Sequence, residues 1–239
     1  METIEKIKIH KYLSKSGVCS LRKAEEYIKN KEVFVNGELA HIGQLIDPKN
    51  DKVELGQKAV EEQKKLVYFK INKPRGIVTT CAQNDEQNIV DIIDIKQRVF
   101  PIGRLDKDTT GLLILTNDGR LANYLMHPRY NHQKEYVVET FGPISDSQLE
   151  KMRNGIFILG SYTKKALIKR LSSGTFSIII SEGKNRQIRR MVESVGNEVK
   201  KLKRIRIENI ELGNLDFGEY KELTKNEKNE LFKRLGLEL

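Results

Sequence analysis

The sequence predicts an α+β protein in which a small N-terminal domain precedes a larger domain with a largely antiparallel, mixed sheet. Two observations indicate this class. Strand-like segments outnumber helical ones in the second part of the chain, and a polar stretch at residues 57–65 separates two regions of regular hydrophobic pattern. The chain has 239 residues, 38% of them hydrophobic, which suits a small domain joined to a medium one. We therefore expect domains at residues 1–56 and 66–239, joined by a linker at 57–65.

The first region has the pattern of a helix followed by a hairpin. Apolar residues at 21, 24, 27 and 28 have helical spacing, and Ser20 directly before them is a favoured N-cap. Asn36 and Gly37 then join two apolar runs, which is the strongest short hairpin signal. Between residues 6 and 31, eight lysines or arginines accompany two glutamates, so the positive charge of this region lies on its helices.

Four segments of the second region have the pattern of strands. They are residues 66–72, 112–116, 134–141 and a stretch in which Phe176, Ile178 and Ile180 alternate on one face. The first of them ends in the turn sequence Lys-Pro-Arg-Gly at 73–76. We expect most of these strands to be joined as hairpins, which favours antiparallel pairing.

Two helices are predicted after these strands. Residues 185–195 form an amphipathic pattern, because the apolar positions 188, 191, 192 and 195 follow the i, i+3, i+4, i+7 rule. The opposite side of this helix is expected to carry Arg186, Arg189 and Arg190. Thr224 is expected to cap a last helix that ends near Leu235.

The charge balance favours a polyanionic partner. Forty-three lysines and arginines against 33 acidic residues give a formal net charge of +10. A membrane is disfavoured, because no basic helix has a strongly apolar opposite face and the longest apolar stretch, 111–115, is far too short to span a bilayer. The N-terminus has no apolar secretory signal. Cys19 and Cys81 lie far apart, as expected of buried thiols in a reducing compartment. We expect a soluble, cytoplasmic protein.

Familiar catalytic motifs are absent from the sequence. The four histidines have no metal-binding spacing, and no phosphate-loop, dinucleotide-binding or nucleophile-elbow pattern is present. We therefore expect a site without a metal or a cofactor. The segment that stands out is the charged loop Pro-Ile-Gly-Arg-Leu-Asp-Lys-Asp-Thr-Thr-Gly at 101–111, which leads into the strand at 112–116.

This loop has two interpretations. As a structural turn, it would let Asp106 or Asp108 accept hydrogen bonds from nearby backbone amides. As a functional loop, it would hold a carboxylate at the rigid end of a strand, beside cations that keep it ionised for work as a nucleophile or base. The pattern alone favours the structural turn.

A family resemblance changes this balance. The segment Gly-Arg-Leu-Asp-Lys-Asp-Thr-Thr-Gly-Leu at 103–112 resembles the signature of the RsuA-type branch of pseudouridine synthases. In the family's order, Lys-Pro-Arg-Gly at 73–76, Lys-Glu-Tyr at 134–136 and Glu-Gly-Lys-Asn-Arg-Gln-Ile-Arg-Arg-Met at 182–191 resemble its other motifs. Residues 7–55 resemble an S4 RNA-binding module, so the resemblance covers nearly the whole chain. Segments at 88–91, 107–108, 158–160 and 199–202 resemble a large-subunit synthase of this branch.

The resemblance implies that the protein isomerises a uridine of ribosomal RNA, most of all 23S RNA, to pseudouridine. Asp106 matches the essential aspartate, which attacks C1′ or the base, or removes a sugar proton. Arg189 matches the basic residue that pairs with this aspartate; without the family it would be read as part of a solvated helix face. Tyr136 matches the tyrosine that stacks on the target base; without the family it would be read as a cross-strand aromatic contact.

The resemblance implies that further residues bind RNA. Leu202 matches an apolar residue that packs on the flipped base, although alone it reads as core, and Arg104 would enter the space that the base vacates unless it forms a structural ion pair. Phosphate contacts are expected from cationic side chains in both domains. In the larger domain, Lys73, Arg186 and Arg190 are expected to bind the substrate, and the phosphate contacts are expected from the basic segment 184–206, which has nine lysines or arginines against two glutamates. In the S4-like domain we expect phosphate contacts from Lys15, Arg22 and Lys23. The expected partner is ribosomal RNA, with transfer RNA as a further substrate, and the expected state is a monomer.

Two other functions compete with this interpretation. A non-catalytic S4-type assembly factor would bind ribosomal RNA and use the larger domain only for docking. A hydrolase of the glycosidase type would need paired carboxylates. Asp106 and Asp108 would point to opposite sides of an extended loop, and Asp91 and Asp94 are expected on the exposed face of a helix.

Overall fold

The computed structural model describes residues 6–63, 65–80 and 86–238, and the chain divides into two compact units. The first unit comprises the residues up to Val67 together with Ile95–Val99 and Asn117–Gly119, and the second comprises the remainder. The assignment of the first unit as an S4 module stays a prediction. No helix among the described residues is both long enough and apolar enough to cross a membrane.

The first unit combines two helices with short strands around a common core. Its elements are α1 (Ile9–Lys15), α2 (Leu21–Lys29), β1 (Ile7–Lys8), β2 (Val33–Val35), β3 (Glu38–Leu39), β4 (Leu45–Ile46), β5 (Val53–Leu55) and β6 (Lys58–Ala59). One sheet has the order β3-β2-β5-β6, and β1 pairs with β4. Leu13, Ala24 and Val33 are among the buried residues that join helices and sheet. Cys19 is buried in this core as predicted, whereas Cys81 lies outside the described residues.

Two local predictions in this unit are confirmed. The Ser20 side chain caps α2 by accepting a hydrogen bond from the Lys23 amide. Asn36 and Gly37 form the hairpin turn between β2 and β3 with φ angles of 54° and 86°, as a two-residue turn with two positive φ values requires.

The predicted linker starts as part of the first unit. Residues 58–59 form β6, which pairs with β5, and the Val60 carbonyl accepts a hydrogen bond from the buried Tyr12 hydroxyl. The linker prediction is therefore wrong for residues 58–60. A two-residue edge strand followed by one buried valine carries too little apolar pattern to be recognised among polar neighbours.

The second unit is built on a large sheet flanked by helices. Its strands are β7 (Tyr68–Lys73), β8 (Phe100–Ile102), β9 (Thr110–Thr116), β10 (Lys134–Thr140), β11 (Phe157–Ile158), β12 (Ser161–Tyr162), β13 (Leu167–Arg170), β14 (Thr175–Ile180), β15 (Val199–Ile207), β16 (Ile210–Glu211) and β17 (Tyr220–Glu222). Its helices are α3 (Gly119–Met126), α4 (Asp146–Asn154), α5 (Gln187–Ser194) and α6 (Lys225–Leu235), and Pro128–Tyr130 form a 3-10 turn.

The large sheet is mixed and mostly antiparallel, which confirms the predicted α+β class. Its order is β13-β14-β10-β15-β9-β7-β17, with β16 beside β15 and β8 beside β9. Among the described strands, the parallel pair of this sheet is β9 with β15. The expected hairpin connections hold for β13–β14 and β15–β16, but not for the centre of the sheet, where α4 and α5 separate strands in the sequence. Phe176, Ile178 and Ile180 share the buried face of β14, as predicted.

Two apolar clusters stabilise the second unit. One joins α4 and α5 to β10, β14 and β15, and the other joins α3 and α6 to β7 and β9. Thr224 caps α6 through a capping box with Glu227, as its sequence pattern predicts. Asp91 and Asp94 are exposed as predicted, but Asp91 lies in a turn and Asp94 in an irregular segment, so the helix expected for them is wrong. Asp91 instead accepts a hydrogen bond from the Asn88 amide, a local bond that competes with helix formation.

Candidate active site

The loop at 103–109 is tied to the segment that follows β7. The Gly76 amide donates a hydrogen bond to the Lys107 carbonyl at 2.9 Å. The buried Thr79 hydroxyl donates to the Leu105 carbonyl at 2.8 Å and accepts from the Leu105 amide at 3.2 Å. Because these bonds lie on either side of Asp106, the backbone that carries this carboxylate has little freedom to move.

The end of the loop depends on a glycine at a close approach of two strands. Gly111 has a φ of +105°, and a Cβ atom built on it would lie 2.2 Å from the Arg204 carbonyl oxygen and 2.7 Å from the Arg204 amide nitrogen. These are the atoms of the parallel pair between β9 and β15. Any larger residue at 111 would push the two strands apart.

The Asp106 carboxylate is accessible and lies beside an arginine. Its side chain is 33% exposed, and its Oδ2 atom is 3.9 Å from the Arg186 guanidinium. Arg186 itself is the N-cap of α5 and adopts a left-handed conformation with φ of 50°. Among the described residues, the ion pair of Asp106 is therefore made by Arg186 and not by Arg189, contrary to the pairing expected from the family motif.

Arg189 is buried rather than on a solvated helix face. Its guanidinium donates hydrogen bonds to the carbonyls of Val199 and Asp108, both at 3.4 Å, which joins α5 to β15 and to the loop. Burial lowers the pKa of Arg189, while Asp106 and Asp108 act in the opposite direction. The alternative interpretation of Arg189 as part of a solvated helix face is therefore wrong, because the loop and β15 together cover a side of α5 that the helical pattern alone marks as polar.

Lys73 lies beneath the loop and is fully buried. Its Nζ atom donates hydrogen bonds to the Pro74 carbonyl at 2.9 Å and to the Lys107 carbonyl at 3.4 Å. Burial lowers its pKa to about 8, against the opposing effect of Asp108 and Asp106. This position does not support the substrate contact predicted for Lys73, since its side chain has no exposed surface. Its ammonium group instead holds the loop through the Lys107 carbonyl.

The burial of Lys73 leads to a pH-dependent stability. The unfolded chain holds the lysine proton up to about pH 10.5 whereas the folded chain loses it near pH 8, so the folded state gains stability as pH rises between these values. We expect the stability difference between wild type and Lys73→Met to shift by about 3 kcal/mol in favour of wild type across this window. Denaturant unfolding of both proteins from pH 7 to pH 10 measures the shift. A constant difference would show that the Lys73 pKa is not lowered.

One apolar cluster contains Tyr136, Leu202 and two residues that directly precede charged residues of the site. This cluster contains Leu105, which precedes Asp106, and Ile188, which precedes Arg189. Tyr136 is 8% exposed and Leu202 is 6% exposed, so a small part of each residue reaches the surface. The cluster therefore brings parts of three separate sequence motifs together.

Arg204 is a buried residue of the site that sequence reasoning missed. It is the strand partner of both Tyr136 and Gly111, and it is 2% exposed. Its Nε donates a hydrogen bond to the Leu112 carbonyl at 2.7 Å. The available signal is its spacing of two from Leu202, which places both residues on one face of a strand. Its position in the basic segment 184–206 instead favours a phosphate contact.

Two other predicted RNA ligands of this unit form no ion pair with a described residue. They are Arg104 and Arg190. Arg104 is exposed, with no hydrogen bond or ion pair to any described residue, so the structural ion pair considered for it is absent there. Arg190 donates to the Asn185 carbonyl at 3.2 Å. In the first unit, three exposed cations lie on or next to α1 and α2, and one of them pairs with Glu26. They are Lys15, Arg22 and Lys23.

The chain matches known proteins over almost its full length. Residues 67–194 match the family model of RNA pseudouridylate synthases. The dual-specificity RNA pseudouridine synthase RluF of Escherichia coli K12 is 44% identical over 229 residues, which cover 95% of this chain and 79% of that protein. The ribosomal large subunit pseudouridine synthase B of Bacillus subtilis 168 is 40% identical over 236 residues, or 95% of this chain and 94% of that protein.

A solved structure has the same fold. A crystal structure of a pseudouridylate synthase superposes with a TM-score of 0.70 at 29% identity, covering 94% of this chain and 99% of that one. The fold and the sequence motifs define an RNA-modifying isomerase. The chain belongs to the RNA pseudouridine synthase family, which confirms the family and the enzyme class predicted from the sequence.

Proposed function

We propose that the protein converts a uridine of ribosomal RNA to pseudouridine, with Asp106 as the catalytic carboxylate. The main support is the accessible Asp106 carboxylate at the end of a rigid loop, next to Leu105, which shares one apolar cluster with Tyr136 and Leu202. An acidic group thus adjoins aromatic and aliphatic side chains. A uracil that turns within a site needs a carboxylate near its reacting atoms and apolar side chains against its ring.

The substrate nucleotide has to leave its stack before it can reach this site. Extrusion costs a few kcal/mol, and stacking on an aromatic ring such as Tyr136 returns about 1–3 kcal/mol. Arg104 is exposed and unpaired with described residues, so it is free to enter the vacated space. Asp106 then acts on the sugar or the base while the N1–C1′ bond breaks. The C5–C1′ bond forms, the C5 hydrogen leaves to water and N1, released from C1′, takes up a proton.

The two arginines of α5 have different roles in this proposal. Arg186 places a positive charge 3.9 Å from the Asp106 carboxylate. Arg189 acts as a positioning residue, because it holds the loop through the Asp108 carbonyl. Arg190 and the exposed cations of the first unit, Lys15, Arg22 and Lys23, contribute phosphate contacts that make the affinity dependent on salt.

The names of the relatives support ribosomal RNA as the substrate. One is named for the large ribosomal subunit and another for dual specificity. We propose large-subunit RNA as the main substrate and transfer RNA as a second one, with the protein acting as a monomer in the cytoplasm, without metal or cofactor.

Tritium release tests the proposed reaction directly. The protein is incubated with ribosomal RNA that carries tritium at C5 of its uridines, and the label that passes into water is counted. Formation of the C5–C1′ bond must expel this hydrogen, so release is expected. Binding of the RNA with no release from either free RNA or ribosomal subunits would contradict the proposal.

A further inference from the structure

The hairpin of β11 and β12 exposes three large apolar side chains. Phe157 is 59% exposed, Leu159 is 54% exposed and Tyr162 is 71% exposed. The two rings meet edge to face with centroids 5.4 Å apart, so this contact leaves much of the Tyr162 ring open to solvent. Exposed apolar groups that cluster in this way are typical of binding surfaces.

The segment that contains this hairpin is rich in basic residues. Residues 151–190 contain ten lysines or arginines and a single acidic residue, Glu182. Glu182 is held by hydrogen bonds from the Lys164 amide and the Gln187 side chain, both at 2.8 Å. Lys164 and Lys165, which follow Tyr162 closely in the sequence, are both exposed. Arg153 and Arg170 pair with Glu150 and Asp146, whereas Lys164 and Lys165 form no ion pair with a described residue. Aromatic rings beside two such lysines suit a nucleic acid better than a protein partner.

The basic segment at 199–207 has fewer cations free to bind RNA than its sequence indicates. Lys200 and Lys201 both pair with Glu139, at 2.7 and 3.0 Å, and Arg206 pairs with Glu135 at 3.0 Å. Two carboxylates therefore offset two of the five positive charges at 199–207, and a third cation, Arg204, is buried. Lys164 and Lys165 beside the hairpin are exposed and form no ion pair with a described residue, so they are available for phosphate contacts.

The hairpin is joined to the candidate active site through Lys184. The Lys184 ammonium donates hydrogen bonds to the Ser161 hydroxyl at 2.7 Å and to the Tyr162 carbonyl at 2.8 Å. Two residues later, the Arg186 guanidinium lies beside the Asp106 carboxylate. An RNA strand that places one nucleotide at Asp106 can therefore continue over the hairpin.

An open groove of about 560 Å³ lies beside these rings, between α4 and the end of α5. Its lining includes Phe157, Tyr162, Lys151 and Asn154, together with Glu150, whose carboxylate is paired with Arg153. Its size lies within the range of ligand pockets, about 300–1,000 Å³. Aromatic rings can stack on a base, while an amide and an ammonium group can contact its edge or a phosphate.

We infer that the β11–β12 hairpin is a second RNA-binding element, on which Tyr162 stacks an unpaired base of the same RNA whose uridine reacts at Asp106. Lys164 and Lys165 contact the adjoining phosphates. The inference rests on the proposed function, because it assigns this surface to the substrate of that site. It extends the contact with RNA to a part of the fold beyond the reacting nucleotide.

Fluorescence anisotropy with two RNA probes tests this element. The probes are a fluorescein-labelled stem-loop with a uridine-rich loop and a fully paired duplex of similar length. Tyr162→Ala is expected to raise the Kd for the stem-loop about 5- to 150-fold, the loss of one base–aromatic contact, and to leave the Kd for the duplex nearly unchanged. Tyr162→Phe keeps the ring and is expected to bind like wild type. Lys165→Ala is expected to reduce the salt dependence by about one phosphate contact.

Phe141→Ala is the matched control, since Phe141 is 67% exposed in the same unit and lies outside this hairpin. An unchanged stem-loop Kd for Tyr162→Ala, or an equal loss for Phe141→Ala, would overturn the inference. Loss of self-association in sedimentation with no change in RNA affinity would assign the surface to a second copy of the chain and would also overturn it. If wild type binds the stem-loop through Tyr162 but releases no tritium from ribosomal RNA, the proposed reaction fails while RNA binding by the hairpin stands.

Discussion

Asp106→Asn is expected to lose tritium release by about 10³-fold or more while it keeps its affinity for RNA. The change removes the negative charge and the basicity of the carboxylate but preserves its shape. The Asp106 side chain touches the fold mainly through the ion pair with Arg186 at 3.9 Å, and its exposed fraction of 33% indicates that little packing depends on it. Loss of activity should therefore be a loss of chemistry. Rate measurements at saturating RNA, together with the Kd, separate the two effects.

The same loop supplies a matched control in Asp108. Its side chain is 54% exposed and forms an ion pair at 3.5 Å with Arg75, which is itself 73% exposed. An exposed pair of this kind contributes at most about 1 kcal/mol, so Asp108→Asn is expected to retain activity within about tenfold. Equal losses in the two variants would mean that the loop needs its total charge rather than a particular carboxylate. Parallel loss of RNA binding in Asp106→Asn would argue against a purely catalytic role.

Local signals account for the parts of the fold that the sequence predicts well. The N-caps Ser20 and Thr224 and the Asn36–Gly37 turn act through hydrogen bonds or φ angles within a few residues, so each can be recognised in isolation. The alternating pattern of β14 is of the same kind. The family motifs also lie in short segments, which is why Asp106 and its neighbours could be selected before the fold was known.

The errors concern residues whose surroundings come from distant parts of the chain. Lys73 is buried because its ammonium meets the Lys107 carbonyl, 34 residues away. Arg189 is buried because β15 and the loop both cover it. For a lysine or arginine, the usual expectation is exposure, and the sequence carries no local sign that carbonyl groups will converge on the side chain. The choice of the arginine that pairs with Asp106 depends in the same way on the start of α5, where Arg186 adopts a left-handed conformation.

Gly111→Ala is expected to destabilise the protein by about 3–5 kcal/mol, because backbone strain and a steric clash add together. The φ of +105° disfavours any residue with a Cβ atom, and that atom would lie 2.2 Å from the Arg204 carbonyl oxygen. Backbone atoms cannot move aside as a flexible side chain can, so β9 and β15 would have to separate. Gly103→Ala is the control, since Gly103 has a φ of +75° but no atom within 4 Å of the added methyl group. It should show only the strain, about 1 kcal/mol. Denaturant unfolding of both variants measures the difference, and equal costs would show that the close approach of the two strands contributes nothing to stability.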